Sequence, residues 1–513
     1  MKKLRLCLFA LACLLGLVPL AADAANSVVR ITVSTDSCQK VTGFGAAAMG
    51  TLMCPITDDR LIDMAYGEDS PIGLNILRME VSPNTIGDVK YEYWDPIYDW
   101  KGYVKAVKMA RSKGAIILGT PWSPPAVYKT NNSSSGGKND DDPSQSVQGK
   151  LTADGYKKFF SWLNTFVTYM RNQGAPVDVV AIQNEPDWWV GYSGCLYTPD
   201  EMHDLVANYG SRFSKANGVR LLGGESFYFN PEYTHKLLDD EKTRNLIDII
   251  GGHIYGSKPL GNMKTACDKA TLYGKETWMT EHTVDPLGDE QKIYDVPRWQ
   301  DELVFAEELN ESMLAGISGY IYWYLYQRFG MIGDGESVPS GGNKKDEILP
   351  RGYVMSHFAK HLPGAWRVKT TSNYLSDTGS FERSAYMKGD SLIIIAINML
   401  AKDIDLKLQT PYEVTSCKHI SSTSLTSLCN VTDVPVAEPT RELTVTISGH
   451  SVNTFILKMK DAPTSARQVQ ASDAAASKST SPVVYNLHGQ RVTHMQTGQI
   501  YIVDGKKVVA RQE

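Results

Sequence analysis

Two segments of the chain put a carboxylate where chemistry could be done. Gln183-Asn184-Glu185-Pro186 closes one apolar run, and Trp278-Met279-Thr280-Glu281-His282 closes another. A carboxyl kept protonated beside one kept ionised is the pair that splits a glycosidic bond. One donates to the leaving oxygen, and the other attacks or activates water. Either Glu alone reads equally well as a helix cap or a strand end. Both together, each behind a polar Asn or Thr at equivalent strand ends, read as one site.

Other strand ends add to that site. Arg78 follows Asn75-Ile76-Leu77, where its fixed charge would hold a nucleophilic carboxylate ionised. Trp122 follows Pro121, and Trp323 ends a further run, so both offer flat faces for sugar rings. His253 and Tyr255 close another run. The Tyr hydroxyl is placed to hydrogen-bond the nucleophile, while His253 taken alone reads as a satisfied buried histidine. Competing constellations fail: there is no HExxH, no nucleophile elbow and no P-loop. Gly43-Phe44-Gly45 does not complete a dinucleotide turn. Asn139 with residues 140–142 reads as a solvated loop rather than a calcium site.

The elements that must position these residues follow from the hydrophobic pattern. Short apolar runs at 43–47, 74–79, 115–121, 177–183, 220–224, 247–255, 277–281 and 317–324 alternate with amphipathic helical stretches such as 103–113 and 156–172. In the latter, Phe159, Leu163, Phe166, Val167 and Met170 share one face. Eight such runs separated by helices predict an α/β fold, a (β/α)8 TIM barrel, over residues 43–362. Barrel enzymes work where strands end and the following loops begin, which is where both Glu residues fall. After that the pattern changes to short punctuated strands at 384–387, 392–398, 405–408, 443–447 and 454–458, a small side β-sandwich spanning 363–460. Residues 25–42, with a strand at 28–34, are expected to complete it. Residues 461–482 read as an Ala/Ser/Gln-rich linker. Residues 483–513 read as a short C-terminal β module with runs at 483–485 and 500–503 and a turn at Asp504-Gly505.

Composition agrees. The chain has 513 residues, 42% hydrophobic, 21% charged and 10% aromatic, which excludes disordered, collagen-like and coiled-coil classes. A formal charge of -5 with no polybasic run offers nothing to nucleic acid. Residues 1–24 have a secretory signal's layout: Lys2, Lys3 and Arg5, an apolar run, then Ala22-Asp23-Ala24. No later stretch is long enough to span a membrane. An exported protein is expected, secreted or held at the cell surface. Cys38, Cys54, Cys195, Cys267, Cys417 and Cys429 would remain, without zinc-ligand spacing. Cys417 and Cys429 could close a local loop, though free thiols are the favoured reading.

These residues resemble glycoside hydrolase family 30. The markers are Gly43-Phe44-Gly45, Leu77-Arg78-Met79, Pro121-Trp122-Ser123-Pro124-Pro125, Gln183-Asn184-Glu185-Pro186, Gly224-Glu225-Ser226, His253-Ile254-Tyr255-Gly256, Trp278-Met279-Thr280-Glu281 and Tyr322-Trp323-Tyr324. They span roughly residues 40–460. Arg351-Gly352-Tyr353 with Met355-Ser356-His357-Phe358 looks most like subfamily 8, the bacterial endo-xylanases. The resemblance implies cleavage of β-1,4-xylan with retention and without cofactor or metal. Glu185 would be the acid/base, Glu281 the nucleophile, and Asn184 the partner of the sugar 2-hydroxyl. Glucuronoxylan-specific members carry Arg-Arg-Ser-Tyr after the eighth strand, where this chain has Tyr326-Gln327-Arg328-Phe329. Arg328 stands one residue late for that clamp, and residues 336–347 lengthen the following loop. Strict dependence on glucuronate is therefore not expected, although Arg328 remains able to serve it. The alternatives are the same fold acting on a β-1,6-glucan, a glucosylceramidase-type β-glucoside or a xyloside from the chain end, or a non-catalytic carbohydrate-binding protein. Tyr485-Asn486-Leu487-His488-Gly489-Gln490-Arg491-Val492 with Gly498-Gln499-Ile500-Tyr501 resembles the C-terminal secretion modules of Bacteroidetes, which implies a bacterial source and an export-machinery partner.

Overall fold

The computed structural model describes residues 28–48, 59–83, 100–214, 218–255, 261–284, 298–326, 330–335, 344–374 and 380–462, and four short strands beyond them. Eight parallel strands close a barrel: β2 (Gly43–Ala48), β3 (Ile76–Glu80), β4 (Ile116–Thr120), β5 (Val179–Ala181), β6 (Arg220–Ser226), β7 (Ile249–His253), β8 (Glu276–Glu281) and β9 (Gly319–Tyr322). All eight expected runs are present, trimmed or extended by a few residues at their ends. Ile76, Leu118, Val179, Ala181, Leu222, Ile249, Trp278 and Ile321 fill the interior, so the barrel is a packed plug and not a pore. Helices such as Trp100–Ser112 and Ala153–Asn172 bury their apolar stripes against the outside. In the second, Thr152 caps the start by accepting from the Gly155 amide.

The motif at 43–45 has a packing explanation. A Cβ on Gly43 would come within 2.0 Å of Asn75 Oδ1, and one on Gly45 within 2.3 Å of the Ile76 carbonyl. Asn75 uses that approach to accept from the Phe44 amide at 2.9 Å and to donate to the Thr42 carbonyl at 3.0 Å. It therefore staples the first two barrel strands at their lower ends.

The side domain is built from both ends of this unit. The preceding strand β1 (Val29–Lys40) pairs antiparallel with β10 (Trp366–Ser372). β11 (Phe381–Lys388), β12 (Ser391–Asn398), β16 (Ser451–Met459) and β13 (Ile404–Ser422) continue the order, with β14 (Asn430–Val434) at the edge and β15 (Thr440–Ile447) on β13. β13 serves both layers. Its first half pairs with β1 and β15, its second with β16 and β14, and the register shifts between Gln409 and Val414, around Pro411. Ile31, Phe381, Ile394, Leu406 and Phe455 fill the space between the layers. The expected segment 28–34 thus belongs to the sandwich. Cys417 and Cys429 do not pair. Both are free thiols, Cys429 contacting Ser356 Oγ at 3.3 Å while Cys417 faces the Lys418 carbonyl.

Helix Trp299–Ala315 lies between barrel and sandwich, which explains why its polar Asp301, Glu302, Glu307, Asn310, Glu311 and Ser312 are all buried. Helix Pro350–Ala359 completes the junction, its His357 bonded to Thr454 Oγ1 at 2.8 Å and Ser422 Oγ at 2.9 Å. At the same junction, carboxylate oxygens of Glu307, Glu311 and Glu382 lie within 4.8 Å of one another. Burial, then Glu311 and Glu307, push the Glu382 carboxyl up to about 7, against the Asn310 amide and Arg383. The folded state therefore binds a proton that the unfolded chain releases near its ordinary range, so stability falls as pH rises from about 4.5 to 7. Glu382→Gln is expected to raise Tm by about 2–4 °C at pH 8 and to leave it unchanged at about pH 4, below the unfolded carboxyl's range, as scanning calorimetry at the two pH values would show.

A second compact unit covers Ser465–Glu513. Its described strands, β17 (Val484–Tyr485), β18 (Arg491–Val492), β19 (Ile500–Val503) and β20 (Lys506–Val509), form an antiparallel sheet in the order β18-β17-β19-β20. The expected turn at Asp504-Gly505 lies outside the described residues. No described helix is long and apolar enough to cross a membrane.

Candidate active site

The C-terminal ends of β3, β5, β6, β7 and β8 deliver charged side chains into one buried cluster. Glu185 follows β5 with a backbone φ of 45°, and Glu225, within β6, has a φ of 59°. Left-handed backbone in a non-glycine residue costs of order 1–3 kcal/mol and gathers where function demands a particular side-chain direction. The two turns are tied together, since the Glu185 amide donates to the Glu225 carbonyl at 3.0 Å.

Arg78 is the hub. It is wholly buried, and its Nη1 donates to Glu281 Oε2 at 2.6 Å while Nη2 donates to Asn184 Oδ1 at 2.7 Å and to Glu225 Oε1 at 2.9 Å. Burial alone would lower its pKa, but Glu225 and Glu281 outweigh that and raise it. The guanidinium also lies under the indole of Trp122, 4.6 Å from the ring centroid, and 5.7 Å from that of Trp323. Trp122 and Trp323 lean on each other at 5.8 Å with Ala47 beneath them. Tyr255 donates its hydroxyl to Glu281 Oε1 at 2.7 Å, and burial followed by the Glu281 charge keeps that phenol protonated. Both oxygens of Glu281 are therefore aimed by donors from other strands.

Glu185 is in a different setting. Its Oε1 meets His253 Nδ1 at 2.9 Å, and one of its carboxylate oxygens lies within 4.8 Å of one on Glu281. Burial raises its pKa most. The His253 bond opposes that, and the nearby Glu281 charge adds to the rise. His253 is itself wholly buried, which disfavours its charge. Glu281, the Glu185 bond and Glu225 overcome this and raise it to about 9. The third carboxyl, Glu225, is lowered: burial works against ionisation, but Arg78 foremost stabilises the anion. Arg78 and protonated His253 supply two positive charges, and Glu225 and Glu281 supply two negative ones. The cluster is then neutral when Glu185 carries a proton. Such an arrangement can give a proton from Glu185 and present a carboxylate from Glu281 to an electrophilic carbon lying between them.

The structure thus brings together Glu185, Glu281, Asn184, Arg78, Trp122, Tyr255 and Trp323, all seven of the expected residues that it describes. Arg328 lies outside the described residues, as do Gln327 and Phe329. Two participants were not expected. His253 was read as a satisfied core histidine, yet it bridges carboxylates. Glu225 was noted within a motif but given no part in the site. The signal that marks Glu185 and Glu281, a carboxylate closing an apolar run, is equally present at Leu221-Leu222-Gly223-Gly224-Glu225, and ending that strand at Gly224 hid it.

No protein-family model matches the chain. The glucuronoxylanase XynC of Bacillus subtilis is 26% identical over 445 residues, which are 85% of this chain and 92% of that protein. An endo-1,6-β-D-glucanase of Trichoderma harzianum, BGN16.3, is 22% identical over 424 residues, covering 72% of this chain and 80% of that one. Among solved structures, the family 30 subfamily 8 xylanase Xyn30A of Clostridium acetobutylicum superposes with a TM-score of 0.66 and 27% identity, over 84% of this chain and 99% of that one.

Proposed function

We propose that this chain is a family 30 glycoside hydrolase that is exported and cuts β-1,4-xylan internally, with retention of configuration. At the coarser level it is an enzyme that hydrolyses glycosidic bonds, as its relatives and structural neighbours do. The observation that carries the finer reading is the pairing of Glu185, its pKa raised, with Glu281, whose two oxygens are both held by donors. One oxygen of each lies within 4.8 Å of the other, which accords with direct attack by Glu281, for which the carboxyl groups stand roughly 5–5.5 Å apart. Glu185 gives its proton to the leaving oxygen while Glu281 forms a bond to the anomeric carbon. Loss of the Glu281 charge then removes one of the influences that raise the Glu185 pKa. Glu185 becomes the base that takes a proton from the incoming water. Net charge in the cluster is the same before and after the first step, so little reorganisation is required of a buried site.

The 22% identical 1,6-glucanase supports a second reading, in which the same machinery serves a β-1,6-glucan. Export rests on the layout of residues 1–24, and the C-terminal unit is assigned to secretion on its sequence resemblance. The test is mass and NMR analysis of products from glucuronate-bearing, arabinose-bearing and undecorated xylan. All three are expected to yield short oligomers whose first-formed reducing ends are β. Silence on all three overturns the xylanase reading in favour of the glucan. Cutting of the first alone would show that Arg328 or another group replaces the missing glucuronate clamp.

A further inference from the structure

We infer that Trp188, with Phe227 and Tyr228, forms a stacking platform for the leaving-group side of a β-linked sugar chain, so that productive substrates carry sugars beyond the scissile bond on that side. The inference rests on Glu185 being the proton donor.

Trp188 stands three residues after Glu185, and its amide donates to the Glu185 carbonyl at 3.0 Å, closing a turn. Next to it, Asp187 accepts from the Phe227 amide at 2.8 Å, which locks the loop after β5 to the loop after β6. The Trp188 and Phe227 rings are stacked at 4.3 Å and 7°. Phe227 is in turn stacked on Tyr255 at 5.1 Å and 25°, and Tyr255 holds Glu281. Tyr228 stands edge-on to both, at 6.2 Å and 90° from Trp188 and 4.6 Å and 88° from Phe227. A continuous aromatic ladder therefore runs from Glu281 outward to solvent. At its outer end Trp188 and Tyr228 are each 41% exposed. With one face of Trp188 covered by Phe227, that exposure belongs to its other face and rim, the surface a pyranose ring packs against.

Topology decides which side this is. The platform rises from β5, β6 and β7, whereas Trp122 and Trp323 rise from β4 and β9 and close over Ala47 of β2. The two aromatic groups flank the carboxylates from different arcs of the barrel mouth. The leaving group sits beside the residue that protonates it, so the Glu185 loop defines its side.

The loop is also held rigid. Residues 134–138 and 190–194 bond through Gly136 N to the Tyr192 carbonyl at 2.7 Å, Lys138 N to that of Val190 at 3.1 Å, and Gly194 N to that of Ser134 at 3.1 Å. The buried Lys129 ammonium donates to the carbonyls of Ser134, Ser135 and Gly194 at 3.0, 2.7 and 2.7 Å. Trp189 adds its indole N–H to the Gly136 carbonyl at 3.0 Å. Affinity from a pre-ordered surface is not offset by loop ordering.

The test compares kcat/KM for xylohexaose with kcat/KM for an aryl β-xylobioside, whose leaving group is a phenol with no sugars to stack. Trp188→Ala is expected to lower the ratio of the first to the second about tenfold, the effect of roughly 1.4 kcal/mol of stacking. Trp188→Phe, which keeps a flat face, is expected to hold the ratio within about threefold, and Tyr228→Ala to lower it less than Trp188→Ala. A ratio unmoved in Trp188→Ala overturns the platform while leaving the xylanase reading intact. A wild-type protein that cuts neither substrate overturns the xylanase reading and this ligand with it.

Discussion

Glu281→Gly is expected to lower kcat on xylan by about 10^5-fold, equivalent to about 7 kcal/mol of transition-state stabilisation. The protein should stay folded, because Arg78 keeps Glu225 and Asn184 as partners and is not left as an uncompensated buried charge. That distinguishes a chemical loss from a structural one, and an unchanged Tm would confirm it. The missing side chain leaves room for a small anion. With an activated aryl β-xyloside, added azide is expected to attack the anomeric carbon as the phenolate departs, giving the α-glycosyl azide. Activity within tenfold of wild type, or a β-azide product, would show that Glu281 is not the nucleophile. Glu281→Gln, closer in shape, is expected to bind xylan while failing to cut it.

Glu185→Ala should separate substrates by their need for a proton. On xylan, whose leaving sugar is a poor one, a loss of about 10^3–10^4-fold is expected. On a dinitrophenyl xyloside the first step needs no acid, so an initial burst of phenolate should precede slow turnover. Azide should then accelerate turnover and yield the β-glycosyl azide, the opposite anomer to that from the Glu281 variant. The pH profile gives an independent readout. Burial and Glu281 raise the Glu185 pKa, so wild-type kcat/KM should fall on the alkaline side as its proton is lost. That limb should vanish in Glu185→Ala on the activated substrate. A variant that keeps the alkaline limb, or cuts xylan at near-wild-type rates, would remove Glu185 from the acid/base role.

The barrel was legible because its strands are buried on both faces and read as unbroken apolar runs such as Leu221-Leu222 and Ile249-Ile250. Carboxylates that interrupt such runs stand out for the same reason, as at Glu185 and Glu281. Less legible were the strands that bury little. In β14 four of the five residues are exposed, and β10 alternates weakly, so neither carries an apolar period to detect. Of β13 (Ile404–Ser422) only 405–408 was expected, since past Gln409 the strand shifts register around Pro411 and moves to the second layer. Within the site, Arg78 was foreseen as a partner of the nucleophile, but not as the hub joining Asn184 and Glu225. Such convergence depends on where β3, β6 and the loop after β5 meet. No local spacing encodes it. The raised pKa of His253 is of the same kind, arising from carboxylates on β6, β8 and the loop after β5 that are far apart in the chain.

The strand that opens the side domain has a consequence for how the chain is made. The Arg30 amide bonds to Asn373 Oδ1 across 343 positions. At roughly 5–20 residues per second, a ribosome needs roughly 20–70 s to cover that interval. Throughout it, Val29, Ile31 and Val33 of β1 have emerged with no partner strand, an edge open to pairing with other chains. All eight barrel strands leave the ribosome before β10 does. Among the described strands, the first synthesised is thus among the last to be seated, and its open edge has to be shielded until β10 and β13 arrive.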